Sequence, residues 1–356
     1  MSKTSYVPSG AKIKVVGMGG AGCNAITRMV RENIRGVEFI AMNTDAAHLE
    51  ITEAPTRILI GEGLTKGHGA GGDQTIGRRS AEETRDEIKQ ALAGADMVFM
   101  AAGMGGGTGT GSISVVAEMA KHSGALTVAC VTKPFSFEGN RRMQVAEEGI
   151  RDLTSKLDTV IIVPNDKLLE LSDNKTGVDG AFKIADEVLC NAVQAIAEVI
   201  TVPGLVNLDF ADVRAIMKDA GPAWMSVGRG SGQNRTVTAA KEALASPLLD
   251  VSVKGAKGVM FNVVGSSNLT LFEVSDAAKI IGEAVDPDAN IIFGVNINPN
   301  MGNEVKLTLI ATGFATKDQL SGSAREQQIT KTLKNMKTEG DFSVPAYMRY
   351  KGSYKR

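Results

Sequence analysis

GMGGGTGTG, residues 103–111, places six glycines in nine positions and contains no lysine. It follows the apolar run DMVFMAA (96–102) and precedes a helical pattern over roughly 112–122. Successive glycines expose consecutive backbone N–H groups, and the helix start behind them adds the positive end of its dipole. Such a turn is an anion cradle, to which Thr108 and Thr110 add hydroxyl donors. A merely flexible joint is a poor account of it, because glycines between a core strand and a core helix cost backbone entropy for no structural gain. The missing lysine excludes the GxxxxGK[ST] phosphate loop. Helix dipoles, backbone N–H groups and a bound Mg2+ are therefore expected to balance the phosphate charge. Arg142, in FEGNRRM (137–143), is a candidate cation. A solvated helix face is the alternative for Arg141 and Arg142.

A second glycine turn lies upstream. GMGGAG (17–22) follows the strand pattern KIKVV (12–16) and opens a helical pattern over roughly 22–34. With Asp45 after the next strand, it fits a dinucleotide fingerprint, and equally a tight strand-to-helix turn. GAGGD (69–73) is a third glycine loop, read as mobile and ending in an acid. A diphosphate needs one cradle. Three glycine loops around one sheet edge suggest a longer chain of phosphates, hence a nucleoside triphosphate.

The flanking pattern gives the fold class. Apolar strands at 12–16, 37–43, 57–60, 96–102, 125–132 and 159–164 alternate with helical stretches, including 77–93 and 140–155. That alternation predicts an α/β domain with a doubly wound, mostly parallel sheet. Residues 178–202 form the longest helix, apolar on most of its circumference and so expected between two layers; Pro203-Gly204 stops it. From 222 onward, two helices among four strands predict a smaller α+β domain with a mixed sheet. The expected organisation is a flexible N-terminus (1–10), a nucleotide domain (11–176), a central helix and acidic loop (177–221), the α+β domain (222–315), a polar linker (316–340) and a terminal peptide (341–356).

Composition narrows the function classes. A net charge of −1 gives no bulk field toward nucleic acid or an acidic membrane. Cys23, Cys130 and Cys190 lack metal-ligand spacing and read as reduced, buried thiols. The opening residues MSKTSYVPSG show neither a signal nor a transit pattern, and no apolar run reaches the length of a membrane span. A soluble cytoplasmic protein without direct membrane insertion is expected.

These motifs also occur together in a known family. GGGTGTG (105–111) resembles the signature loop of the tubulin superfamily. GMGGAGCNA (17–25), NTD (43–45), PFSFEGNRR (134–142), ADEVL (185–189) and NLDFAD (207–212) resemble its bacterial cell-division members, the FtsZ family, over residues 11 to 315. The resemblance implies a tubulin-like fold that binds GTP or GDP with Mg2+. On it, Gly19, Gly20, Ala21, Gly22 and Asn24 would contact the α- and β-phosphates and ribose. Gly103, Met104, Gly105, Gly106, Gly107, Thr108, Gly109 and Thr110 would hold phosphates and Mg2+. Asn43, Asp45, Ala70, Gly71 and Gly72 would approach the γ-phosphate, and Glu138 and Arg142 the ribose. Thr132 and Pro134 join this nucleotide-binding set. Asn165, Phe182 and Asp186 would recognise guanine, Phe182 by stacking and Asp186 by accepting from N1–H and N2–H2.

None of the nucleotide loops contains an obvious water-activating residue. Asn207, Asp209 and Asp212 form a polar, acidic cluster beyond the far end of the long helix. At about 1.5 Å per residue, that cluster lies some ~35 Å from the base contacts. A second molecule stacked head-to-tail closes the gap, and such a contact propagates into a filament. The resemblance implies this arrangement, with the three residues catalytic in the neighbour's site. From spacing alone, Asp209-x-x-Asp212 before VRAIM reads as a helix N-cap with an acid at N3; the two roles are compatible.

The resulting expectation is a GTP-hydrolysing filament that builds the division ring beneath the membrane at mid-cell. A Rossmann-type oxidoreductase accounts for residues 17–45 and leaves 103–111 and 207–212 unused. A non-division relative, for plasmid segregation or cell shape, is the other alternative. DFSVPAYMR (341–349) resembles the family's tail peptide, with Phe342 and Met348 where Leu or Ile and Leu are usual. It implies a membrane-tethering adaptor and division regulators as partners, besides the protein itself.

Overall fold

The structure, a computed structural model, describes residues 10–170, 177–201, 209–248 and 253–314. Expectations for residues 1–9, Asn207, the linker 316–340 and the peptide 341–356 fall outside the described residues.

Strand β1 (Ile13–Met18) is buried at every position, as a central parallel strand covered on both faces must be. It feeds α1 (Gly19–Arg31), whose buried residues Gly22, Cys23, Ile26 and Met29 recur at helical spacing. Gly22 permits that helix to lie close, since a Cβ there would sit 2.4 Å from the Ala101 carbonyl oxygen. Next come β2 (Val37–Asn43), α2 (Ala46–Glu50), β3 (Thr56–Leu59) and α3 (Glu62–Thr65). The helix expected over 77–93 is two helices, α4 (Gln74–Glu83) and α5 (Arg85–Leu92), broken at Thr84. Thr84 Oγ1 is occupied there, accepting from the Gly61 N–H at 2.9 Å. Then follow β4 (Met97–Gly103), α6 (Thr108–His122), β5 (Leu126–Lys133), α7 (Asn140–Thr154), β6 (Thr159–Pro164) and α8 (Asn165–Leu169). The first six strands are all parallel, in the order β3-β2-β1-β4-β5-β6.

Two cores flank this sheet. One holds Ile26 and Met29 of α1 against Ala185, Leu189, Val193 and Ile196 of α9 (Val178–Thr201). The other holds Ile88 of α5, Ile113 and Val116 of α6 and Ile150 of α7. The sheet is doubly wound, and its strand order reverses between β1 and β4. Met18 pairs with Ala102, so the turns after both strands emerge side by side at one carboxyl edge. In open α/β sheets ligands bind at that point.

Beyond α9 comes α10 (Phe210–Met217), then β7 (Gly221–Ser231), α11 (Arg235–Leu244), β8 (Gly258–Gly265), α12 (Leu271–Ala284), β9 (Asn290–Ile297) and β10 (Glu304–Thr312). The expected mixed sheet is present: β7–β10 and β10–β8 are antiparallel, β8–β9 parallel. Gly221–Ala223 of β7 continue the first sheet by pairing with Thr159–Ile161, making one ten-stranded sheet. Among the described residues no helix is long and apolar enough to cross a membrane.

Candidate functional site

A cavity of about 400 Å³ opens at the β1–β4 edge, within the range of small-molecule sites. Its floor is the two glycine turns. Some of their glycines exist for contact between the turns. A Cβ on Gly103 would lie 2.8 Å from Ala21 Cβ, one on Gly19 2.9 Å from the Gly109 nitrogen, and one on Gly107 2.9 Å from Ala70 Cβ and from Asp73 backbone atoms. Others face the cavity: a Cβ on Gly20 or Gly106 would meet no protein atom within 4 Å, and both residues line the space. The cradle is therefore held at backbone distance, with room left for a ligand's oxygens.

The charge question raised by the missing lysine has a structural answer. Among the described residues Arg142 is the one basic side chain in the lining, and it is paired with Glu138. What remains for an anion is the N-termini of α1 and α6, which begin at Gly19 and Thr108 inside the two turns. Thr108 Oγ1 lies 2.6 Å from Thr44 Oγ1, so a fully buried hydroxyl fixes the threonine at the start of α6.

The other end of the cavity is aromatic and amide-lined. Phe182 is 41% exposed and makes an edge contact with buried Phe135, centroids 5.3 Å apart. Phe137 stacks on Phe135 at 4.9 Å. Asn165 is buried, and among the described residues its Oδ1 has no hydrogen-bond partner. A buried amide left unmatched is costly unless a ligand matches it. Burial pushes the Asp186 carboxyl up to about 6, against the pull of the Arg28 guanidinium. A flat apolar face beside an amide and a desolvated carboxylate suits a base that offers hydrogen-bond donors. The residues present thus fit a nucleotide, phosphates on the glycine turns and base beside Phe182. Among the described residues no group of three or more His, Cys, Asp or Glu would hold a metal.

Of the residues expected at the site, Gly19, Gly20, Ala21, Asn24, Gly103, Met104, Gly106, Gly107, Thr108, Gly109, Thr132, Pro134, Glu138, Arg142, Asn165, Phe182 and Asp186 line one cavity. Eight others do not. Gly22 serves helix packing. Gly105 donates its N–H to Thr110 Oγ1 at 2.8 Å, so this pair shapes the turn from behind. Asn43 Oδ1 accepts from the Thr44 N–H at 2.9 Å, and Asp45 caps α2 by accepting from the His48 N–H at 3.0 Å. Ala70 is buried against Gly107, and Gly71 and Gly72 adopt positive φ in the same loop. The loop read as mobile is thus packed on the phosphate turn. Met18 and Ala185 line the cavity without having been expected. Thr44, inside the NTD motif, adds a buried hydroxyl behind Thr108 that no feature of the sequence singles out.

Asp209 and Asp212 are not in the cavity. Asp209 caps α10, accepting from the Asp212 N–H at 2.8 Å, while Asp212 accepts from the Asp209 N–H at 3.4 Å. The capping box read from spacing is present. Both residues are exposed.

Comparison with known proteins agrees with this geometry. Residues 12–173 match the model of the Tubulin/FtsZ family GTPase domain, and residues 221–315 that of the FtsZ family C-terminal domain. An empty FtsZ dimer from M. jannaschii is 48% identical, with a TM-score of 0.83 over 85% of this chain and 88% of that one. A tryptophan-to-tyrosine variant of M. jannaschii FtsZ is also 48% identical, at 0.84 over 86% and 92%. GDP-bound CetZ1 from Haloferax volcanii shares the fold at 22% identity, with a TM-score of 0.74 over 89% and 99%.

Proposed function

The chain belongs to the FtsZ family of tubulin-like GTPases, and from that premise we propose that it hydrolyses GTP at an interface between copies of itself. GTP would sit in the cavity at the β1–β4 edge, and a second copy stacked head-to-tail would bring Asp209 and Asp212 to the γ-phosphate. Asn207 would join them. The observation that carries this reading is the separation of the two half-sites along α9. Phe182 and Asp186 lie at the start of that helix and the Asp209 cap follows its end. From Phe182 to Thr201 the helix advances 201 − 182 = 19 residues, roughly 28 Å at 1.5 Å each. Side chains do not bridge that length, so the acids of one molecule cannot serve its own cavity.

In this arrangement the backbone N–H groups of the two turns cradle the phosphates, and Phe182, Asn165 and Asp186 hold the base. The remaining expected residues, from Asn43 to Gly72, shape the γ-phosphate end through Thr44, Thr108 and Ala70. Mg2+ bound with the nucleotide would offset phosphate charge, with Thr108 as the candidate protein oxygen. The exposed carboxylates would orient and polarise a water opposite the leaving group. Because the acids act on the next molecule, each contact that completes a site also extends a filament.

The filament would form the ring at the division site, beneath the membrane. Residues 341–356 would bind a tethering adaptor and division regulators. Residues 11–176 would carry the nucleotide, 177–221 the link to the acids, and 222–315 the face that meets the neighbour. The direct test is GTPase rate per molecule against protein concentration. A steep rise above a threshold is expected. A constant rate per molecule, down to dilutions where sedimentation shows only monomer, would sink the reading.

A further inference from the structure

Arg28 lies on the stripe of α1 that runs Ala21, Asn24, Arg28, spaced three and four residues apart and so on one helical face. Ala21 and Asn24 line the cavity; Arg28 is the next turn along. Its guanidinium reaches α9 at two points. Nη1 donates to the Lys183 carbonyl at 3.3 Å, and Nη2 pairs with Glu187 at 3.4 Å. Nε donates to Glu32 at 2.9 Å, which fixes the plane of the group. Residues 183 and 187 are one turn apart and Asp186 lies between them in the chain, so the guanidinium spans the turn of α9 that carries Asp186 to the cavity.

We propose that Arg28 is a positioning residue for base recognition, tying the turn of α9 that carries Asp186 to the phosphate-binding helix and keeping a positive charge beside that carboxylate. This rests on the reading of Asp186 as the acceptor for guanine. The chemistry needs such a group. A carboxylate facing two N–H donors must be ionised, yet burial drives Asp186 toward its neutral form, and Arg28 is the cation that opposes this. The other charges on elements around Asp186 are largely committed elsewhere. Glu138 and Arg142 pair with each other, Asp166 accepts from the Ser136 N–H, and Lys167 pairs with Glu170. Glu32 and Glu187 share Arg28, and Lys183 lies on α9 itself. A helix tie that merely stabilised the fold would make no demand on protonation.

The test is equilibrium binding of GDP to the full chain between about pH 5 and pH 8, for the wild type, Arg28→Gln, Arg28→Lys and Asp186→Asn. The terminal phosphate titrates in the same range, and ratios of affinities at each pH cancel it. Relative to wild type, Arg28→Gln is expected to bind nearly equally at pH 8 and about three- to tenfold more weakly at pH 5–6, since one unit of pKa is tenfold in the ionised fraction below it. Arg28→Lys should stay near the wild-type curve throughout. The shape of the profile does not depend on how much of the variant folds. An Arg28→Gln curve parallel to wild type overturns the inference. If Asp186→Asn also matches wild type at every pH, the guanine reading fails with it; if Asp186→Asn binds weakly while Arg28→Gln stays parallel, only the role of Arg28 fails.

Discussion

Asp209 and Asp212 exchange hydrogen bonds at the start of α10, each carboxylate accepting the other residue's backbone N–H, at 2.8 and 3.4 Å. The exchange uses one oxygen of each, Asp209 Oδ1 and Asp212 Oδ2. It holds both acids in a fixed, exposed orientation with a second oxygen outside the exchange. The cap and the proposed catalytic role are therefore compatible in one geometry.

The two roles separate by substitution. Asp212→Ala is expected to cost about 1 kcal/mol of stability through the lost cap, to leave GTP affinity nearly unchanged, and to reduce turnover by far more than the unfolded fraction explains. Calorimetry together with GTPase assays on the same samples checks this. Turnover that merely follows the folded fraction would assign these residues to capping alone.

Asp186 is expected to have opposite effects on stability and binding. Its folded-state value of about 6 lies above the usual carboxylate range, so ionising it on the way from pH 4 to pH 6 destabilises the empty protein, and the loss persists above that window. Asp186→Asn should raise Tm of the nucleotide-free protein at pH 7.5 and leave it little changed near pH 4. The same change should weaken GTP binding and erode a preference over ATP that we expect to reach about 10²-fold or more in the wild type. Equal ATP and GTP affinities in the wild type would contradict the base assignment.

The glycines of the cradle divide into two classes with different expected outcomes. Gly20 is the second residue of α1, and a Cβ there meets nothing within 4 Å. Gly20→Ala should leave stability equal or raise it by up to about 1 kcal/mol while weakening nucleotide binding, because the new methyl enters the ligand's space. Gly107→Ala must displace Ala70 and the Asp73 backbone and should destabilise the apo protein. Thermal melts with and without GDP distinguish the two. Similar losses of stability in both variants would show that Gly20 is not ligand-facing.

Much of this was legible in the sequence because glycine turns and buried strands carry strong local signals. GMGGAG and GMGGGTGTG marked the ends of β1 and β4, and pairing of Met18 with Ala102 is what brings them together. The pairing itself was not legible, since strand order is a tertiary property. The break at Thr84 was hidden because both halves of 77–93 have helix-forming composition and the interruption is a bond to a distant Gly61. β7 was assigned to the second sheet alone, because nothing local shows that its first three residues pair with β6. Asn43, Asp45, Gly71 and Gly72 are placed at the ligand by family resemblance alone; in the structure Asn43 accepts from the Thr44 N–H and Asp45 caps α2 through the His48 N–H, contacts that no local pattern marks.

The tail yields a cellular prediction. Deleting residues 341–356 should leave GTPase activity and filament assembly near wild type and abolish recruitment to the membrane. Fluorescence microscopy of the tagged truncation, with assembly measured by pelleting, checks it; a membrane-bound ring built by the truncated chain would remove the tail's role as tether.

The claim that one molecule completes its neighbour's site is tested most directly by mixing two inactive variants. Thr108→Arg blocks the phosphate turn and keeps the acids, whereas Asp212→Ala keeps the turn and lacks an acid. In an equal mixture about one head-to-tail interface in four pairs an intact cavity with intact acids. Turnover should therefore recover toward a quarter of the wild-type rate, while each variant alone stays near zero and pelleting shows both in the filaments. Co-assembled mixtures no more active than the sum of their parts, or wild-type turnover by Asp212→Ala in a dilute monomeric sample, would contradict the account.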